Sequence, residues 1–109
     1  MATAYKILGQ VATAATTETT LYTCPALTQT VVSSLVVTNR GATSATYRIS
    51  VSNNGSATAT KDYLIYDTTL NPNAVVALTL GITVDAADVI RVYASTANLS
   101  FNAYGSEIV

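Results

Sequence analysis

The eight residues from Ala45 to Ser52 alternate apolar and polar without a break: Ala45, Tyr47, Ile49 and Val51 against Thr46, Arg48, Ser50 and Ser52. Successive side chains of a β-strand point to opposite faces, so this spelling predicts a strand with one face toward a core and the other outward. The same period of two, not 3.6, recurs along most of the chain. Nineteen Thr, twelve Val and seven Tyr supply the β-branched and aromatic side chains that suit a pleated surface.

Seven further strands are expected around it. They run Ala4 to Gln10, with Tyr5 and Ile7 on one face; Thr19 to Cys24, ended by Pro25; Gln29 to Asn39; Lys61 to Asp67; Val75 to Val84, with Gly81 as a break point; Val89 to Ser95; and Leu99 to Gly105. Leu21 and Thr23 oppose Tyr22 and Cys24. In the Gln29 run, Val31, Leu35 and Val37 face one way and Val32 and Val36 the other, so a central strand is expected. Ile90, Val92 and Ala94, then Leu99, Phe101 and Ala103, are assigned inward. Asn39-Arg40-Gly41, Asn54-Gly55, Leu70-Asn-Pro-Asn73, Asp85-Ala-Ala-Asp88 and Thr96-Ala-Asn98 spell turns. Ala12 to Thr20 has no apolar stripe and reads as a loop. Parallel strands need long, usually helical, crossovers that this spacing does not allow. The expectation is all-β: a single domain over residues 1–109, an antiparallel β-sandwich of about eight strands, jelly-roll-like or Ig-like.

Composition removes whole classes of function. The chain has no His and one Cys, so it cannot build a tetrahedral N/S zinc site, a Ser-His or Cys-His mechanism, or an internal disulfide. Five Lys and Arg against six Asp and Glu give a net charge of −1, which is no footprint for nucleic acid. No apolar stretch approaches the roughly 18 residues of a bilayer-spanning helix. The start shows no basic segment followed by an apolar one, so no signal peptide is expected, and assembly in a reducing cytoplasm follows. The Asn54 and Asn98 sequons are read as chance matches in a Ser/Thr-rich chain. Charged residues make up only 10% of the chain, against about 25% in an ordinary domain. A surface of Thr, Ser, Ala and Asn suits a protein packed against neighbours.

The titratable residues read as structural. Asp85 and Asp88 share a turn, where Asp88 is expected to accept backbone N–H groups. Asp62 and Asp67 lie an odd number of residues apart on one expected strand, hence on opposite faces, and form no dyad. Cys24 is expected to be a small buried hydrophobe. Arg40, Arg48 and Arg91 are isolated cations, read as surface salt-bridging groups or as subunit–subunit ion pairs. Tyr47 belongs to the core. Tyr63 and Tyr66 are three apart, so they are expected on opposite faces. Tyr93 and Tyr104 fall opposite their strands' inward residues. Outward Tyr on a sparsely charged surface favours an interface. The candidate interface residues are Tyr5, Ile7, Tyr63 and Tyr66, on two segments expected to be edge strands, and Tyr93 and Tyr104 on two further strands.

Four segments taken together, Thr20-Leu-Tyr-Thr-Cys-Pro25, Leu35-Val-Val-Thr-Asn-Arg-Gly41, Leu78 to Val92, and Phe101-Asn-Ala-Tyr-Gly-Ser-Glu-Ile108, resemble small all-β virion proteins of tailed bacteriophages. The resemblance implies a non-enzymatic structural protein without cofactor or metal, located in the virion. A head decoration or cement protein leads. A tail, neck, baseplate or fibre subunit and a receptor- or glycan-binding module are the alternatives. The expected partners are copies of itself, as a trimer or dimer, and virion proteins such as the major capsid protein, with no nucleic acid and no membrane.

Overall fold

The computed structural model describes residues 2–109. In chain order its strands are β1 (Thr3–Ala12), β2 (Thr19–Thr23), β3 (Gln29–Asn39), β4 (Ala45–Ser52), β5 (Tyr63–Leu70), β6 (Val75–Leu78), β7 (Ile82–Val84), β8 (Val89–Ala94) and β9 (Leu99–Ile108). The front sheet has the order β1-β9-β3-β6, with β7 also pairing β3; the back sheet has the order β2-β8-β4-β5. Every pairing is antiparallel. The two sheets form the expected β-sandwich. The expected Val75–Val84 run divides where anticipated: β6 and β7 follow one another along the same side of β3, separated by Gly81 at φ 67°.

The core lies between the sheets. Leu35, Val37, Phe101, Leu99 and Ala103 come from the front; Ile49, Tyr47, Ile90, Val92 and Ala94 come from the back. The Tyr47 ring meets the Phe101 ring edge-on, 6.5 Å between centroids. Ile90, Val92, Ala94, Leu99, Phe101 and Ala103 are all buried, as period two requires.

Bulges alter the expected alternation elsewhere. In β3 the register against β9 shifts between Val32 and Ser34. An extra residue in one strand moves the following side chains to the other face. Thr30 and Val32 are therefore buried ahead of the bulge, and Leu35, Val37 and Asn39 behind it. Val31 does not share a face with Leu35 and Val37; it is exposed. The strand is central, flanked by β9 on one side and by β6 and β7 on the other.

β5 departs further. The chain makes a 3-10 turn at Thr60–Asp62 before the strand begins, so Asp62 is not on a strand with Asp67. Register shifts opposite Ile49 and Arg48 then insert extra residues into β5, with Asp67 in the left-handed region at φ 50°. Tyr63 and Tyr66 thus lie on one face, in edge-to-face contact at 4.8 Å, rather than on opposite faces.

On β4, Ser50 and Ser52 are buried although their alternation points them outward. The segment 53–62 folds over this end of the face. Arg91 ties it down, donating to Ser52 Oγ (3.0 Å), Ser56 O (2.7 Å), Thr58 Oγ1 (3.2 Å) and Gly55 O (3.3 Å). The Ala59 N–H donates to Asp62 Oδ2 at 2.8 Å and closes the last turn.

Candidate functional site

The six candidate residues fall on two separate outer surfaces. Tyr5, Ile7 and Tyr104 share the outer face of the front sheet. β1 is an edge strand, and Ile7 sits directly opposite Tyr104 on β9. Tyr5 is 87% exposed and Ile7 53%. Ser106, the partner of Tyr5, is also the partner of exposed Val31 on β3, so the apolar row continues one strand further.

Tyr63, Tyr66 and Tyr93 share the outer face of the back sheet. Their organiser is Arg48, a residue that sequence reading treated as an isolated cation. Its guanidinium lies 4.3 Å from the Tyr66 ring centre and 4.2 Å from that of Tyr93. It also donates to both Asp67 carboxylate oxygens, through Nε at 2.6 Å and Nη2 at 3.2 Å. The bulge makes this fork possible, because it sets both Tyr66 and Asp67 opposite Arg48. The Arg48 pairing holds the Asp67 carboxyl below the usual carboxylate range and raises the guanidinium further above its own. Tyr66 remains 56% exposed and borders a shallow cavity of about 320 Å³ with Thr60 and Tyr63.

A third cluster is internal, and sequence reading missed it. The Tyr22 hydroxyl donates to Glu107 Oε2 at 2.6 Å. That uses its proton, so the Thr30 hydroxyl at 2.7 Å is the donor to Tyr22. Lys6 Nζ donates to Glu107 Oε1 at 3.0 Å. Burial first, and the adjoining carboxylate second, raise the Tyr22 hydroxyl well above the ordinary phenol range. The Tyr22 and Lys6 hydrogen bonds keep Glu107 below the carboxylate range against a smaller opposing effect of burial. The available signal was parity. Glu107 follows Phe101, Ala103 and Gly105 on the inward face of β9, and a charge in that position requires partners.

Cys24 is 2% exposed, with its Sγ 3.3 Å from both Thr28 O and Thr30 Oγ1. Asp88 behaves as a turn acceptor: the Asn54 and Asp85 N–H groups donate to its two carboxylate oxygens, each at 2.9 Å. Arg40 donates to Ser100 Oγ and Ala97 O. Among the described residues, no group of three or more acidic or Cys side chains converges to hold a metal ion, and no helix is long and apolar enough to cross a membrane.

No protein-family model matches the chain, and no curated protein matches it. Among solved structures it is similar to a pentameric capsid protein isolated from metagenomic phage sequences. The identity is 20% and the TM-score 0.43, over 95% of this chain and 62% of that one. It is also similar to a pentameric capsid protein from metagenomic phage sequences solved by iodide phasing. There the identity is 18% and the TM-score 0.36, over 95% of this chain and 67% of that one. The chain spans less than two thirds of the length of the first of these capsid proteins.

Proposed function

We propose that the chain is a non-enzymatic structural protein of a tailed-phage virion, assembled in the host cytoplasm and mounted on the head exterior as a decoration or cement protein. The observation that carries this reading is the apolar outer face of the front sheet. Tyr5, Ile7, Val31 and Tyr104 are exposed there beside an open sheet edge, in a chain with only 10% charged residues. An apolar surface of that kind marks a contact with other protein. The connectivity supports the same reading. With β6 and β7 counted as one interrupted strand, the sheets take the order first-last-third-sixth and second-seventh-fourth-fifth, which we read as a jelly roll. Viral capsid and lectin domains use that architecture. The four segments that resemble phage virion proteins are the third support.

Cryo-electron microscopy of particles carrying a tagged copy tests the placement. Density distributed over the head lattice, at a stoichiometry commensurate with the major capsid protein, is expected. A few copies confined to the tail, neck or baseplate would move the chain to those structures, and absence from particles would overturn the virion role.

A second reading, a glycan-binding module, rests on the Tyr63–Tyr66 pair and its shallow cavity. Glycan-array binding that is lost in Tyr66→Ala would favour it.

A further inference from the structure

Of the four sheet edges, β1 is the one without protection. β2 is five residues long and carries a bulge. β6 and β7 are four and three residues long and interrupt each other. β5 has eight residues but is bulged opposite both Ile49 and Arg48. Short strands and bulges are how proteins blunt edges. β1 has ten residues, and its pairing with β9 is regular from Thr3 through Ile7, where the first shift occurs.

Its free backbone groups can be assigned. Ala2 and Val109 exchange both hydrogen bonds, N to O at 3.0 Å and 2.8 Å. Hydrogen-bonded and non-hydrogen-bonded pairs alternate along an antiparallel ladder. Ala4 and Lys6 therefore spend their N–H and C=O groups on β9. Thr3, Tyr5 and Ile7 turn theirs outward, to an edge that no other strand covers among the described residues.

We propose that β1 pairs antiparallel with β1 of a second copy of this chain, about a two-fold axis at Tyr5. Thr3 then lies opposite the partner subunit's Ile7, and Tyr5 opposite the partner subunit's Tyr5. Three facts select this register. It brings all three outward-facing residues of each strand into hydrogen-bonded pairs, six bonds in all by the alternation rule. Centring one residue earlier, on Ala4, leaves Ile7 without a partner among the described residues. Centring one residue later sets Lys6 against Lys6 in the closest pair geometry, and like charges directly opposite are destabilising. In the register about Tyr5, Lys6 meets Ala4 and keeps its own ion pair with Glu107.

The side chains agree with the backbone. Such an axis runs perpendicular to the sheet, so both outer faces point the same way. Tyr5 and Ile7 of each copy, with Tyr104 beside them, merge into one apolar patch across the seam. A single isologous contact closes at two copies. This pairing concerns the isolated chain and does not rest on the virion role.

Sedimentation of the purified 109-residue chain tests it, with two substitutions. Tyr5→Pro removes an N–H that the β9 ladder does not use, a position where an edge strand tolerates proline. It should weaken association by at least about tenfold, through lost hydrogen bonds at the centre of the seam, while circular dichroism stays that of the parent. Tyr5→Cys should cross-link under mild oxidation. Directly opposed residues of a hydrogen-bonded pair lie about 5.5 Å apart, within disulfide reach. Thr3→Cys should not, because its counterpart lies four residues along. The parent chain staying monomeric up to about 1 mM would overturn the proposal. So would an oligomer that Tyr5→Pro leaves intact, or cross-linking through Thr3→Cys in place of Tyr5→Cys.

Discussion

Tyr22 and Glu107 stand 85 residues apart in sequence and 2.6 Å apart in space, one on the back sheet and the other on the front. Their hydrogen bond is a buried polar tie across the sandwich. Thr30 and Lys6 complete it from β3 and β1. Asn39 on β3 makes a second buried tie, donating through Nδ2 to Leu70 O on β5 at 3.1 Å. Against the non-directional apolar contacts of the core, these donors help fix how the sheets are seated on each other.

Tyr22→Phe removes the donor to Glu107 and the acceptor for Thr30 while keeping the ring. It should cost about 1–3 kcal/mol of unfolding free energy, since a charged acceptor is left with one partner fewer. Chemical denaturation measures it, and a loss below about 0.5 kcal/mol would show that water replaces the hydroxyl without penalty.

Glu107 also makes stability depend on pH. Its folded pKa is held below the unfolded value of about 4.3. The ionised form therefore stabilises the fold fully above that pH, and the contribution is lost as pH falls through the folded pKa. Glu107→Gln should be less stable than the parent by about 1 kcal/mol at pH 7, and the gap should close below about pH 4. Parallel melting curves from pH 7 to pH 3 would refute this.

Gly105 has no room for a side chain. A Cβ there would run into the carbonyl of Val31, beside the bulge of β3, where the obstacle is backbone and cannot rotate away. Gly105→Ala should lower stability by about 1–3 kcal/mol or more, as overpacking does. Thermal unfolding reads the effect, and an unchanged midpoint would mean that β3 and β9 can slide apart freely.

The back-sheet aromatics separate folding from assembly. Tyr66 is more than half exposed, and its guanidinium neighbour also stacks on Tyr93. Tyr66→Ala should change stability by no more than about 1 kcal/mol. If the surface is a contact in the particle, incorporation should fall by at least about 2 kcal/mol in binding terms. Normal folding with normal incorporation for both Tyr63→Ala and Tyr66→Ala would confine particle contacts to the front sheet.

Cys24 is enclosed by Thr28, Thr30 and Val84. A thiol reagent should label native protein orders of magnitude more slowly than unfolded protein, and Cys24→Ser should fold with a modest loss of stability. Labelling at the rate of free cysteine would contradict the burial.

Much of the architecture was legible because period two is a local property. Ala45, Tyr47 and Ile49 reveal β4, and Phe101 and Ala103 reveal β9, without knowledge of any partner strand. What alternation does not contain is the partner. The pairing of Tyr63 with Tyr66 depends on how many residues of β5 sit opposite Ile49 and Arg48, and no spacing within β5 states that number. Arg48 looked isolated for the same reason, since its carboxylate and both its rings come from other strands. Ser50 and Ser52 were misassigned because a segment without periodicity covers them, held by Arg91. Tyr5 and Ile7 were placed on one exposed face because β1 has no bulge before Leu8.

The bulge in β3 has a genetic corollary. The strand is written in two reading frames, even positions inward before Ser33 and odd positions inward after it. Deleting Ser33 joins the frames. Thr30, Val32, Leu35, Val37 and Asn39 then alternate without interruption, so every core side chain keeps its face and only the bulge is lost. Point substitutions along β3 act one side chain at a time, and a codon lost at Ser33 is absorbed by the bulge, whereas a codon lost between Leu35 and Asn39 would turn the rest of the strand over. Related chains should therefore tolerate the presence or absence of a residue at position 33 but keep the count of residues from Leu35 to Asn39.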